Sequence, residues 1–588
     1  MRSTIPVVAT SMDGVQDNVK NHFRDKYERL YNSTDDGNEL LKVQEEIEAD
    51  VHEQSLAEIE KVTPGIVKEA ASKLKSGRSD PVFSFSSDCF KNAPDSLFDK
   101  LSILLQGFLL HGHVTLVLLL ATLVPIIKDK LGSINASKNY RSIAISSLLL
   151  KLIDWIFLIL FGASFRLNDF QFAYQPDCST TMCTWAVVET VDYFTRNGSE
   201  VFSCAMDMTA AFDLTLHSLL FRKMLRAGFP PIFLRLFTFI YIHQVANVRW
   251  DGEYSDLFKM TNGVRQGAIL SAIAYCFYCE ELFSLLKSRR AGCWVLDSYH
   301  GIFGYSDDNW LLAPSLSSLQ DMLSTCEEYA ATHNLKFSTD SNPVKCKTKL
   351  MAFLNKPREL PSLLLCGTPL PWVDKIKHLG NHISNGKSRT DLDTQIKTSK
   401  YISKNNSIMQ EFYFARPETV SMVNQIYNSH FTGSQLWDLC SKEVEKLIST
   451  YNRSVKLMYG LPWATHRCLI QPITGEQHVS KVLISRFLSF ISKVELSKKS
   501  SLHTLLKIAK HDVRSVTGSN LRKIMLLSGK TSISDLRTIS VPYHELTDEE
   551  AWKVDVIKEL ISMRHGDLEL PGWEKEEIEY IMNSLCTQ

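Results

Sequence analysis

Two periods of apolar and polar positions run along this chain, and the switches between them mark its elements. In "VTPGIVKEAASKLKSG" apolar residues recur at helical spacing between a Thr-Pro start and a Gly stop, which predicts a helix from about residue 61. The apolar stretch 140–165 predicts another helix, and "MCTWAVVETVDYFTRNG" a third that stops at its Gly. "VFSCAMDM" is short and apolar and reads as a strand with Asp207 near its C-terminal end. "LHSLLFRKMLRAGFPPIFLRLFTFIY" reads as two helices broken at Pro230-Pro231, and "QVANVRWDGEYSDLFKMTNG" as a hairpin turning at Asp251-Gly252. "GVRQGAILSAIAYCFYCEELFSLLKSR" is a turn feeding a long helix. In "FGYSDDNWLLAPS" two short strands, 301–305 and 309–313, flank Asp307 and Asp308, and "SLSSLQDMLSTCEEYAATHN" follows as a helix. Strand with Asp, helices, Gly-rich turn with helix, carboxylate hairpin, helix, strand: that order predicts an α+β arrangement floored by an antiparallel sheet.

One apolar run has two readings. "LSILLQGFLLHGHVTLVLLLATLVPII", residues 101–127, carries no Asp, Glu, Lys or Arg and is long enough to span a bilayer. It also holds Gln106, His111, Gly112 and His113, and polar groups in hydrocarbon are expensive. A buried helix, a turn at "HGH" and a buried strand leading to Pro125 is the reading we take, with no membrane.

Composition then bounds the class. A chain of 588 residues exceeds one core and implies several domains or subdomains. Thirteen scattered cysteines with no paired CxxC site, and no signal peptide, predict reduced thiols and an intracellular protein of the cytoplasm or nucleus. A formal net charge of zero argues against simple coating of nucleic acid. The charge is uneven: residues 1–60 are polar and acidic, whereas "GKSRTDLDTQIKTSKYISKNN" and "KKSSLHTLLKIAKHDVRSVTGSNLRK" are basic. Such runs are solvated helix faces in the ordinary case.

The candidate chemistry lies in the acids. Asp307 and Asp308 suit a solvated turn between strands, because Asp is a good turn residue. Yet Asp207 offers a further carboxylate at a strand end about a hundred residues earlier. Clustered carboxylates repel unless neutralised, and the economical neutraliser for all-oxygen donors is Mg²⁺.

In order and spacing, "AMDMTAAFD", "NGVRQGAILSA" and "FGYSDDNWLL" resemble the central palm motifs of reverse transcriptases, and more narrowly those of non-LTR (LINE-type) retrotransposons. "LVPIIKDK" and "NYRSIAISSLLLKLIDWI" resemble the fingers of these enzymes, "FQFAYQPDCSTT" the segment before the first palm motif, and "NPVKCKTKLMAF" and "IKHLGNHIS" the last palm motifs. "SQLWDLCSKEVEKLISTYNRSVKLMYGLPWATHR" resembles the thumb and following helices. The likeness covers roughly 60–385. It departs from the usual pattern at Ser142 and Ala272, where proline is common.

The resemblance implies a right-hand polymerase fold with fingers, antiparallel-sheet palm, helical thumb and a helical C-terminal region. Its divisions would be an acidic segment 1–60, fingers and palm 61–385, a thumb-like region 386–470 and a helical region 471–588. It implies an RNA-directed DNA polymerase adding dNTPs to a primer 3′-hydroxyl, with RNA template and DNA primer as partners. Asp207, Asp307 and Asp308, with the carbonyl of Met208, would hold two Mg²⁺ ions, Mn²⁺ substituting. Lys347, flanked by Lys345 and Lys349, would protonate departing pyrophosphate. Lys128 and Arg141 would clamp the triphosphate, Phe212 would exclude a 2′-hydroxyl, and Gln266 and Gly267 would line the nucleotide; Arg265 and Asp213 would be structural. The basic runs would contact the template–primer backbone. No endonuclease pattern is present, so a separate endonuclease is expected. The alternative reading is a polymerase-shaped protein that only binds RNA.

Overall fold

The computed structural model describes residues 11–13, 15–16, 18–34, 36–54, 59–130, 132–428, 431–528 and 548–564. Its palm is a four-stranded antiparallel sheet in the order Ile302–Tyr305, Asp308–Ala313, Val201–Met206, Lys349–Phe353. The two central strands are almost fully buried, Cys204, Leu311 and Leu312 having no exposed surface. Helices Thr180–Arg196 and Leu316–Thr332 pack on this sheet. Each starts at a serine whose hydroxyl accepts from the third residue on, Ser179 from Met182 and Ser315 from Ser318.

A second sheet carries the fingers. Leu120–Ile127 pairs antiparallel with Tyr140–Ile145 and parallel with Val245–Trp250, which turns at Asp251-Gly252 into Glu253–Tyr254. Here the expected helix over 140–165 is corrected. Residues 140–145 are a strand, and the helix is Leu148–Phe161, capped by Ser147, whose hydroxyl accepts from the Leu150 amide at 3.1 Å. Tyr140, Ser142 and Ala144 are buried and alternate with more open neighbours, a period of two that a dense apolar composition masked.

The run 101–127 is a helix, a turn and a strand. Helix Asp95–His111 stops at Gly112, whose φ of +70° suits glycine and whose added Cβ would fall 2.4 Å from the Arg235 side chain. Strand Leu120–Ile127 follows after one short 3₁₀ turn. Among the described residues one helical stretch, Ile269–Ser288, is long and apolar enough to cross a bilayer; it is interrupted at Cys279 and 61% of its apolar window is buried inside the protein.

The described helices of the acidic N-terminal segment pack on the body of the fold. Helix Val19–Tyr31 lays Phe23, Tyr27 and Tyr31 on the fingers sheet, where the Phe23 ring meets Tyr140 at 5.1 Å and Trp250 at 5.2 Å. Helix Gly37–Glu53 packs on His217–Arg226 and Pro231–Ile242. Its acids face outward while Val43 and Ile47 are buried.

Beyond the palm, helices Asp391–Glu411, Pro417–Asn428 and Lys442–Met458 form a thumb-like bundle. Its apolar cluster, including Ile408, Val420 and Met458, takes in Ile557 and Ile561 of the later helix Asp548–Arg564. Helices Val479–Leu496, Ser500–His511 and Val516–Ser528 instead share the core of the palm. Trp185 of the palm donates to the Thr517 hydroxyl at 3.1 Å, and that hydroxyl donates to Glu189 at 2.6 Å. A line drawn at 470/471 thus cuts through continuous packing. The expected helical segments at 529–547 and 565–588 lie outside the described residues.

Candidate active site

Register brings the acids together. Asn309 stands opposite Met206, and Lys349 opposite Ala205. Continued one step on one side and two on the other, the same registers set Asp308 and Lys347 on either flank of Asp207 at one end of the palm sheet. Lys347 Nζ lies 3.3 Å from Asp207 Oδ2, so of Lys345, Lys347 and Lys349 it is Lys347 that pairs with this carboxylate. The Asp207 amide donates to the Thr348 hydroxyl at 3.3 Å and its carbonyl accepts from Ser338 at 2.8 Å, which fix the strand end. Met208 is buried, bridges to Phe337, and receives the Tyr275 hydroxyl on its sulfur at 3.2 Å.

Asp307 occupies a two-residue hairpin turn. Tyr305 and Asp308 are the last pair, and Ser306 has a φ of +63°, the sign that a type II′ turn needs at its first central position. A positive φ at a non-glycine residue needs support, which the segment ahead of the palm supplies. Gln171, fully buried, accepts the Ser306 amide on its side-chain oxygen at 2.9 Å. The flanking backbone grips Gly304 on both sides: Gly304 N–H donates to Phe170 and Phe172 N–H to Gly304. The carboxylate turn is therefore a braced element and not a solvated loop.

The electrostatics follow from crowding. Burial, then the charges of Asp307 and Asp207, push the Asp308 carboxyl up to about 6, against the opposing pull of Arg141 and Lys347. Burial and the charge of Asp207 also raise Asp307. From the fingers, Lys128 and Arg141 face this pole. Lys128 is held below the ordinary lysine range first by desolvation and then by the cations Lys347 and Arg141, with Asp213 and Asp207 opposing. Fingers cations and palm acids thus lie within electrostatic reach of one another.

The nucleotide-lining candidates Gln266, Gly267 and Phe212 are each held by contacts within the protein. Gln266 donates through Nε2 to both carboxylate oxygens of Asp213 at 3.1 Å, and its carbonyl accepts from Ala144 of the fingers strand. Asp213 also accepts from the Tyr31 hydroxyl at 2.6 Å, and burial raises its carboxyl to about 6. Gly267 has a φ of +113°, and a Cβ there would lie 2.8 Å from the Ala144 carbonyl, so its backbone approach is to the fingers strand. Phe212 is half-buried and stacks on Tyr275 at 4.5 Å. Arg265 is buried beside Asp154 and over the Tyr241 ring, a structural cation.

Part of the second basic run is turned toward the protein itself, while Lys498, Lys507 and Arg522 are exposed. Lys499 is only 5% exposed, Lys510 pairs with Glu495, Arg514 with Asp512, and Lys523 donates to the Leu439 carbonyl. These cations serve internal contacts. Sequence does not single out Tyr31, Gln171 or Lys499: Tyr31 carries no motif signal, Gln171 lies within the "FQFAYQPDCSTT" block with nothing to mark it out, and Lys499 is hidden in a charge run.

Among the described residues no group of three His, Cys, Asp or Glu side chains, Asp207, Asp307 and Asp308 included, is gathered closely enough to hold a metal ion by itself. The donor set nonetheless fits a hard cation. Carboxylates that raise one another's proton affinity are under-neutralised, and Mg²⁺ takes one or two carboxylates plus substrate phosphates rather than an all-protein cage.

Residues 127–383, from the fingers strand to the end of the palm, match the family described as "Reverse transcriptase (RNA-dependent DNA polymerase)". This part of the chain is a reverse transcriptase domain, and such domains generally use divalent metal ions. Two relatives from Drosophila melanogaster are similar to it. One is the retrovirus-related Pol polyprotein from type-2 retrotransposable element R2DM, 25% identical over 331 residues, covering 54% of this chain and 30% of that protein. The other is the probable RNA-directed DNA polymerase from transposon X-element, 22% identical over 308 residues, 50% of this chain and 32% of that protein. The chain spans about a third of the length of these relatives. Solved structures with likeness include apo telomerase from Candida tropicalis truncated from its C-terminal domain, at TM-score 0.31, 14% identity, 53% of this chain and 61% of that one. A second is telomerase from Candida albicans with a fragment of telomeric RNA, at TM-score 0.30, 12% identity, 66% and 64%. At such scores these likenesses carry no argument, and the α+β polymerase fold rests on the sheet topology described above.

Proposed function

We propose that the chain is an RNA-directed DNA polymerase of a non-LTR retrotransposon, extending a primer 3′-hydroxyl on an RNA template. The observation that carries this is the register that sets Asp308, Asp207 and Lys347 in a row at the palm end, with Asp307 in the adjoining turn, facing Lys128 and Arg141 of the fingers. Phosphoryl transfer asks for positioning and charge stabilisation, which this cluster of acids and cations offers. Asp207, Asp307 and Asp308, with the Met208 backbone, would hold two Mg²⁺ ions, with Mn²⁺ as substitute. When bound there, the ions would supply activation of the attacking hydroxyl and charge stabilisation of the leaving pyrophosphate. Lys128 and Arg141 suit triphosphate oxygens, Arg by its paired donors. Lys347, exposed and hydrogen-bonded to Asp207, would give a proton to pyrophosphate. Phe212, packed on Tyr275, would exclude the 2′-hydroxyl, and Gln266 and Gly267 set the wall behind the base.

Target cutting would come from a separate endonuclease. We place the protein inside the cell, in cytoplasm or nucleus, a reading supported by the free thiols of its twelve described cysteines. Elongation of oligo(dT) on poly(rA) with dTTP and Mg²⁺ tests the activity. Retained RNA binding with no incorporation under Mg²⁺ or Mn²⁺ would select the alternative, a protein that only binds RNA.

A further inference from the structure

Lys499 comes from the far end of the chain and ends beneath the catalytic hairpin. Its ammonium donates to the main-chain carbonyls of Asp169 at 2.9 Å and Asn168 at 3.2 Å, the latter 331 residues away in sequence. It also reaches the Gln175 side-chain oxygen at 3.4 Å and lies 4.9 Å from the centre of the Phe172 ring. All four contacts fall within residues 168–175, the segment that grips Gly304 and, through Gln171, the Ser306 amide. The clamp is reciprocal. The Asp169 carboxylate accepts from the amides of Ser500 and Ser501 and from the Ser500 hydroxyl, capping helix Ser500–His511. His300, two residues ahead of the hairpin strand, has Nε2 3.2 Å from the Ser501 carbonyl.

A cation this buried is kept only where its donors are well used, and removing one partner of such a set leaves the others unsatisfied. Packing alone would be served by an apolar residue. What the ammonium adds is direction: it fixes three oxygens of one short segment at once, and that segment has a second edge on the acid turn.

We propose that Lys499 is a positioning residue through which the C-terminal helices set the placement of the Ser306-Asp307 turn against Asp207. This deepens the polymerase reading and rests on it for the identity of the acid site. It predicts that metal binding at the acids depends on a residue that touches none of them.

The test uses the full chain with Lys499→Met and Lys499→Arg, read by hydrogen–deuterium exchange and by calorimetric titration of Mn²⁺. Lys499→Met is expected to speed exchange in 302–308 about tenfold while Lys349–Phe353 on the other edge of the sheet is unchanged, since lost charged hydrogen bonds are worth that much. Mn²⁺ affinity is expected to fall about tenfold, as for outer partners of metal ligands. Lys499→Arg keeps the charge and restores both. Exchange that is unchanged, or that rises evenly across the palm with a falling melting temperature, overturns the proposal. So does local loosening with unaltered Mn²⁺ affinity. Primer extension by the natural chain, run alongside, separates the two readings: a natural chain that extends nothing counts against polymerase activity, and the brace is still decided by exchange and Mn²⁺ binding.

Discussion

Gly267 shows how tightly single residues are fixed at the junction of fingers and palm. An Ala there would carry its Cβ into the Ala144 carbonyl at a φ that L-residues avoid. Gly267→Ala is expected to destabilise the chain by about 2 kcal/mol and to lower nucleotide affinity, read by thermal unfolding and by KM for dNTP. Phe212 makes a different prediction. If its ring walls off the sugar, Phe212→Val admits ribonucleotides, raising the rNTP:dNTP incorporation ratio by about tenfold or more, the worth of a removed steric contact. Asp213 carries a pH dependence whose sign follows from its raised carboxyl. The folded chain keeps the proton up to about 6, whereas the unfolded chain loses it near the ordinary value. Between pH 4 and 6 the folded state therefore binds more protons, and this group's contribution to stability falls as pH rises. Asp213→Asn removes that slope, so melting temperatures of the two chains, compared across pH 4 to 7, should diverge in favour of Asn until about pH 6 and then run parallel.

At the scale of elements, the acid hairpin and its neighbour strand were legible because each is short, apolar and ends in Asp, and two-residue turns leave a plain mark. The strand Tyr140–Ile145 was not, since Ile143 and Ile145 on its more open face erase the alternation that separates strand from helix. Nor was the union of the N-terminal helix with the fingers: Phe23, Tyr27 and Tyr31 sit among charged residues, and only a sheet with an uncovered face explains them. Phe23→Ala should remove a ring wedged between Tyr140 and Trp250, at a cost of about 3 kcal/mol. Hydrogen exchange should then quicken in Leu120–Ile127 and Tyr140–Ile145 while the palm strands keep their protection.

Across the whole molecule, the sequence motifs point to a polymerase cleft, and the structure adds how distant parts converge on it. Tyr31 from the N-terminal helix, Gln266 at the fingers strand and Asp213 share one hydrogen-bond set. Lys499 from the C-terminal helices holds the segment behind the acid turn. Such links join residues hundreds of positions apart and leave no local pattern, which is why the inward role of Lys499 is not legible within the basic run 498–523. The measurement that tests the account most directly compares the natural chain with Asp307→Asn in RNA-templated single-nucleotide incorporation under Mg²⁺, with primer–template affinity measured in parallel. The account predicts incorporation by the natural chain and a fall of about a thousandfold in the variant at unchanged affinity, equal to about 4 kcal/mol of lost transition-state stabilisation. Equal rates in the two chains, or no incorporation by a natural chain that binds the duplex, would contradict it.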